Sequence, residues 1–311
     1  MRRVYVAKAA CMSRRLAETD CSGLLLSRFH SAVNLFFPYF PDGTGRLITL
    51  FAPAKSLAPD SLRLSEAAFD AVRQIPVESR VSKQGSQLIW EAAPFILTFG
   101  DNLTENPRIP ACRPAEIRRA AAWVKNALGK PCGLDSLPRD ERDGRTENLV
   151  RLADCLRRGD KAEALHRLKA GAGAGPGLTP STDDMAVGII AALRACGCTA
   201  SFPEPETAYA ALEGRTTEVA RHYIRCALEG FISEALRDAL KGQAAGWKRL
   251  SETGASSGID TITGLEIGAD DYLVKPFEAN YENLRTHRRG PLSSQGPFRG
   301  LLDRGRMDKG E

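Results

Sequence analysis

The chain has 311 residues, 43% hydrophobic and 26% charged, a balance that excludes a disordered chain and suggests about two domains at roughly 150 residues each. No run approaches the roughly 20 uninterrupted apolar residues of a membrane helix, since the best stretch, Leu24–Phe40, is broken by Arg28, His30, Asn34 and Pro38. Most of the net charge of +5 sits in the tail, where from Arg285 onward seven basic residues face three acidic ones in a Gly/Pro/Ser-rich stretch, so a folded basic face for nucleic acid is not expected.

Arg2, Arg3 and Lys8 are followed by no apolar run and no small-residue cleavage site, so no secretory signal is expected and Val4–Val6 reads as a first strand. Further short apolar runs, Gly23–Ser27, Leu47–Phe51, Leu88–Trp90 and Phe95–Phe99, are separated by turn chemistry such as Pro41-Asp-Gly-Thr-Gly45. One helical patch, Ser65–Gln74, interrupts them. From Pro114 helical patterns take over: Glu116–Leu128, Glu147–Arg158, Lys161–Lys169, Asp183–Ala195, Thr207–Leu212, Thr217–Leu228 and Ser233–Leu240. Gly133–Gly144 reads as a polar linker. The fold class expected is α+β: a β-rich sheet or barrel-like domain over residues 1–110, an all-helical domain over 111–268, and a basic tail over 269–311 too polar to fold alone.

The stretch Gly171-Ala-Gly-Ala-Gly-Pro-Gly-Leu-Thr-Pro-Ser-Thr-Asp-Asp184 is the most informative. Its glycines, Gly175 and Gly177 among them, let backbone approach a ligand; Thr179 suits an N-cap and Pro180 the first helical position. Free N–H groups there, with Ser181, favour a small anion. No Gly-Lys-Ser/Thr follows, so this is not a nucleotide-binding P-loop. Asp183 and Asp184 answer the helix dipole, accept hydrogen bonds from a substrate amide or ureido group, or hold a cation that bridges to the anion; the residue types leave all three open. Two later segments share this grammar. Gly214-Arg215-Thr216-Thr217 opens one helix, with Arg215 a fork for carboxylate or phosphate, and Gly254-Ala-Ser256-Ser257-Gly-Ile-Asp260 precedes another apolar stretch.

The eight cysteines include no C-x-x-C pair, and the four histidines no H-E-x-x-H spacing, so reduced thiols, a cytoplasmic setting and no metal or other cofactor are expected. No Ser-His-Asp or Cys-His arrangement is legible.

Taken in order, Gly175–Asp184, Arg215-Thr216-Thr217 and Gly254–Gly264 resemble the signatures of the AllH-type subunit of oxamate carbamoyltransferase, and Phe29-His-Ser-Ala-Val-Asn34-Leu35 is similar to that family's N-terminal F-x-x-x-x-N-L piece. Thr182 stands where the family usually has glycine. The resemblance implies a subunit that interconverts oxalurate plus phosphate with oxamate plus carbamoyl phosphate, in anaerobic allantoin and purine breakdown. It implies other carbamoyltransferase subunits as partners and a small anionic substrate (carbamoyl phosphate, oxamate or phosphate). Asp183, Asp184 and Arg215 would be catalytic; Asn34, Gly175, Gly177, Thr179, Ser181, Thr216, Ser256, Ser257 and Asp260 would contact substrate. The alternative is a non-catalytic, small-anion-binding or scaffolding subunit. Separately, Gly264–Phe277 is similar to the end of a response-regulator receiver domain, without the upstream acidic residues that Lys275 would serve.

Overall fold

The structure, a computed structural model, describes residues 5–8, 11–13, 20–39, 45–91, 93–99 and 103–270. The N-terminal strands are β1 (Tyr5–Lys8), β2 (Cys11–Ser13), β3 (Cys21–Arg28), β4 (Ala32–Phe37), β5 (Arg46–Phe51), β6 (Ser61–Arg63), β7 (Arg80–Gln84), β8 (Gln87–Trp90), β9 (Phe95–Thr98) and β10 (Leu103–Glu105). They form one sheet in the order β1-β9-β8-β7-β3-β4-β5-β6-β2-β10. Laid flat, ten strands would span about 43 Å. Yet β1 and β2, at or beside opposite ends of that order, are separated by only two residues, which reach roughly 10 Å. The sheet therefore curls on itself, the barrel-like form expected from its short strands. Helix α1 (Glu66–Arg73), capped by Ser65, packs Phe69 and Val72 into the core with Leu25, Val33, Leu35, Ile48, Leu50 and Trp90.

Side chains alternate between the two faces of a strand. Val33, Leu35, Ile48 and Leu50 point into that core, which puts Asn34 and Thr49 on the other face; both are buried because the helical region covers them. Seams of polar contacts join the two regions. Glu234 receives the Leu57 N–H at 3.0 Å and pairs with Arg63; Arg237 pairs with Glu105 at 2.8 Å.

The helical region comprises α2 (Pro114–Leu128), a 3-10 turn (Gly133–Ser136), α3 (Arg139–Arg158), α4 (Lys161–Gly171), α5 (Ser181–Ala195), α6 (Pro205–Ala211), α7 (Glu218–Leu228), α8 (Glu234–Leu240), α9 (Ala244–Ser251) and α10 (Ser257–Gly268). No helix is long and apolar enough to cross a membrane among the described residues. The expected linker at 133–144 is overturned. Gly133 is buried in the 3-10 turn, and α3 begins at Arg139 because its charged first turns are laced by i,i+4 pairs such as Arg139–Asp143 and Arg145–Glu141, which carry no apolar signal.

Helix α5 is the axis of this region. Met185, Ile189, Ile190 and Leu193 enter one core cluster; Ala191, Ala192 and Ala195 enter a second. Against it lies α10, at backbone contact. A β-carbon on Gly188 would stand 2.2 Å from the Thr261 carbonyl oxygen, and one on Gly264 would stand 2.1 Å from that of Met185. The Gly264–Gly268 end of the receiver-like stretch is thus helical and packed here; Lys275 and the other residues after Asp270 lie outside the described residues.

Alanine at Gly188 or Gly264 is expected to cost about 1–3 kcal/mol or more in urea denaturation by overpacking the crossing. Alanine at Gly144, mid-α3 with nothing near its β-carbon, is expected to be neutral or to stabilise by up to ~1 kcal/mol. A chain cut after Asp270 keeps Ala269, which is 1% exposed and part of the second cluster, and is expected to retain its circular dichroism and melting temperature. Aggregation of that shortened chain would show that later residues complete the core.

Candidate functional site

The glycine loop ends where α5 begins. Pro180 takes the extended cap position (ψ 147) and Ser181 starts the helix, so Thr179 is not the N-cap the sequence suggests. Its hydroxyl instead lies 3.0 Å from that of Ser257 on α10, and both lie against the Asp184 carboxylate. Upstream, Gly173 (φ 80) and Gly175 (φ 108) occupy left-handed backbone that a side chain would strain. A β-carbon on Gly173 would also meet the Arg215 carbonyl at 2.2 Å, so loop and helix start are locked face to face. Thr182, at the position where glycine is usual in the resembled family, fastens the loop: its hydroxyl donates to the Ala174 carbonyl (3.2 Å) and accepts from the Ala174 N–H (3.1 Å).

The two aspartates of α5 differ. Asp183 accepts from the Gly173 N–H at 3.2 and 3.3 Å and from the Thr216 hydroxyl, which joins the glycine loop to the Arg215-Thr216-Thr217 segment. Burial pushes its carboxyl up to about 6 despite those donors. Burial holds Asp184 well above the usual carboxylate range; Ser257 and Thr179 offset this in part, while the charges of Asp260 and Asp183 add to it.

Asp260, in the first turn of α10 and 0% exposed, accepts at Oδ1 from the Gly133 N–H (2.8 Å) and from the Cys132 thiol (3.2 Å). That thiol, buried and beside a carboxylate, is pushed up to about 12, the opposite of a nucleophile. Gly133 allows a close approach that a side chain would block. A β-carbon there would stand 1.9 Å from Ser181 Oγ, 2.8 Å from Ser256 Oγ and 2.9 Å from Asp260 Oδ2. Ser181 Oγ, Asp184 Oδ2 and Asp260 Oδ2 are all buried without a hydrogen-bond partner in the protein.

The other sequence candidates fall around this polar cluster or away from it. Arg215 is exposed, and its guanidinium is free of hydrogen bonds and ion pairs to other described residues. Gly177 (φ 101) is exposed at the loop tip. Asn34 lies in the sheet, where a register shift between Leu25 and Ser27 brings Ser27 opposite it; its amide donates to Ser27 Oγ at 3.0 Å and its Oδ1 accepts from Thr49 at 2.9 Å. Thr49 in turn bonds Tyr223 of α7, whose hydroxyl feels the charge of Asp184. Gly133 and Cys132 escape sequence reading, since a turn 127 residues before Asp260 carries no motif.

A second buried cluster, Asp60, His222 and Cys226, has ligand-type atoms within 4.8 Å of one another. Arg225 lies 2.9 Å from His222 Nδ1, and a guanidinium only donates, so Nε2 carries the proton and points it at Asp60 Oδ2, 3.1 Å away. Cys226 shares that same Nε2 at 3.5 Å. The arrangement therefore differs from a Cys-His-Asp relay, which uses both ring nitrogens, and a cation would have to displace the proton next to a buried guanidinium. It serves the seam: Arg225 also donates to the Gly45 carbonyl at 2.6 Å.

Fold and site define a two-region α+β protein with a buried polar cluster at the paired N-termini of two packed helices. The model of the AllH family N-terminal domain matches residues 3–103, and that of the oxamate carbamoyltransferase subunit AllH matches residues 172–269. The chain belongs to the AllH family. No curated protein and no solved structure matches it.

The raised carboxyl of Asp183 gives a pH test. Stability from a carboxyl whose folded value exceeds its unfolded one is fully present below about 3.8 and lost as pH rises through about 6. Asp183→Asn is expected to flatten the urea midpoint against pH over that window; an unchanged slope would assign the titration to another group.

Proposed function

We propose that this polar cluster and its glycine loop form the ligand site of a carbamoyl-transfer subunit, one that works with other subunits to interconvert oxalurate plus phosphate with oxamate plus carbamoyl phosphate in anaerobic allantoin and purine breakdown. The observation that carries this reading is the set of buried, unpartnered oxygens beside the loop: Ser181 Oγ, Asp184 Oδ2 and Asp260 Oδ2. Leaving a buried acceptor unpaired costs about 1–3 kcal/mol, so such a set is sustained where a ligand completes it. Carbamoyl and oxamate groups carry the N–H donors that carboxylate oxygens accept. The exposed Arg215 supplies a planar fork for the carboxylate or phosphate at the other end of the ligand. In the reaction a phosphate oxygen attacks the ureido carbon, the bond from that carbon to the oxamate nitrogen breaks, and the nitrogen takes a proton. That chemistry needs orientation and amide polarisation more than a covalent nucleophile.

A second reading, a non-catalytic anion-binding or scaffolding subunit, is favoured by one observation: both oxygens of Asp183 are engaged in holding Gly173, and one of them Thr216 too. Binding separates the two. Carbamoyl phosphate, oxamate or phosphate is expected to raise the melting temperature of the isolated chain, by about 2.7 kcal/mol of stabilisation at a hundredfold excess over Kd. Asp184→Asn is expected to weaken that binding roughly tenfold to a hundredfold, and Arg215→Ala about tenfold, with little change in the ligand-free melt. Failure of all three ligands to shift the melt would favour the scaffolding role.

A further inference from the structure

The segment Phe29–Leu35 is only partly used by the fold. Asn34 and Leu35 are buried, the first on the face covered by the helical region and the second in the barrel core, but Phe29, in the turn between β3 and β4, is 42% exposed. A single exposed apolar side chain is ordinary on a protein surface. The neighbours of this one are not. Phe29 lines an open cleft of about 360 Å³ together with Arg28, His30, Arg73 and Gln74, so two arginines and a histidine surround the ring and no carboxylate lines the cleft.

The cleft is held in shape by its own arginines. Arg28 Nη1 donates to the Arg73 carbonyl at 2.8 Å and lies 3.4 Å from that of Ile75, and Arg73 Nη1 donates to the His30 carbonyl at 3.3 Å. These bonds tie the hairpin tip to the end of α1 through neutral acceptors. Neither guanidinium forms an ion pair with a described residue, and the exposed Asp70 and Glu78 on the adjoining segments form none with them. The following turn is pinned as well: Glu78 takes left-handed backbone (φ 68), which a non-glycine residue rarely adopts, and its N–H donates to the Leu25 carbonyl at 2.8 Å. Val77, two residues beyond Ile75, is thereby left 44% exposed.

Arginine and aromatic side chains are the groups that anchor protein interfaces, and a cleft of one sign selects a partner of the other. A small anion would engage the guanidiniums and leave Phe29 and Val77 in water. We propose that the β3–β4 turn and the end of α1 dock an acidic segment of another subunit of the carbamoyltransferase, with its carboxylates on Arg28 and Arg73 and an apolar side chain against Phe29. The inference rests on the chain's membership of a family of enzyme subunits and is independent of the ligand reading above.

The test is co-expression of the full chain with the other subunits of its carbamoyltransferase, with assembly read by size-exclusion chromatography and affinity by titration. A complex is expected, and raising NaCl from about 0.1 M to about 0.5 M is expected to weaken it. Phe29→Ser and His30→Glu are each expected to weaken it at least about tenfold. Neither side chain makes a hydrogen bond or ion pair to a described residue, so both variants are expected to keep the wild-type melting temperature; should Phe29→Ser lower it, His30→Glu decides. Tyr39→Ser, at an 80% exposed residue outside the cleft, is expected to leave affinity unchanged, and an equal loss there overturns the proposal. A photo-crosslinking residue in place of Gln74 is expected to capture a partner segment rich in Asp and Glu. Failure to form a complex overturns the proposal, as do unchanged affinity in folded His30→Glu and capture of a segment without carboxylates. Sedimentation of the isolated chain and flotation with phosphatidylserine vesicles test the other occupants: a self-association, or a vesicle binding, that His30→Glu abolishes assigns the cleft elsewhere and overturns it too.

Discussion

The glycine-mediated crossing of α5 and α10 is the constraint on which the rest of the structure depends. Two helices at ordinary separation keep their backbones 8–10 Å apart axis to axis. With Gly188 against Thr261 and Gly264 against Met185, these two approach until carbonyl oxygens lie where β-carbons would be. That approach brings Ser181, Asp183 and Asp184 at one helix start beside Ser256, Ser257 and Asp260 at the other. The polar contacts of the cluster follow from it, as does the place of Gly133, whose N–H caps Asp260 from outside the pair.

Three buried carboxylates in one place would be intolerable in an apolar interior, and each is handled differently. Asp183 is saturated with donors and works as a clasp between two loops. Asp184 receives two hydroxyls, and Asp260 a backbone N–H and a thiol, each with one oxygen left over. Helix N-termini stabilise all three without neutralising them. A carboxylate that is fully paired is a structural part. One that is half-paired and buried beside the glycine loop is what the proposed ligand would complete.

The sheet region takes part through its outer face. Asn34 and Thr49, turned away from the barrel core by strand alternation, meet α7, where Tyr223 bonds Thr49. On the same helix His222 and Arg225 reach Asp60 and the Gly45 carbonyl. A polar seam of this kind fixes orientation through directional bonds. It couples the family's N-terminal segment to the helix that begins at Thr217, the residue after the Asp183 clasp.

Local pattern was enough for much of this. The apolar density of α5, the positive-φ glycines before it, the Arg215-Thr216-Thr217 helix start and the Ser256–Asp260 start are all carried by neighbouring residues, and physics acting over a few residues made them legible. Other features depend on contacts that sequence neighbours do not encode. Gly133, by composition a linker residue, lies opposite a carboxylate 127 positions later. The first turns of α3 are held by ion pairs and lack the apolar period that would announce them. Adjacent Asp183 and Asp184 are the same residue type under the same helix dipole. Only the packing of α10 and of the Thr216 loop decided which of them is saturated and which keeps an oxygen open, because a hundred-degree step along a helix turns consecutive side chains toward different neighbours.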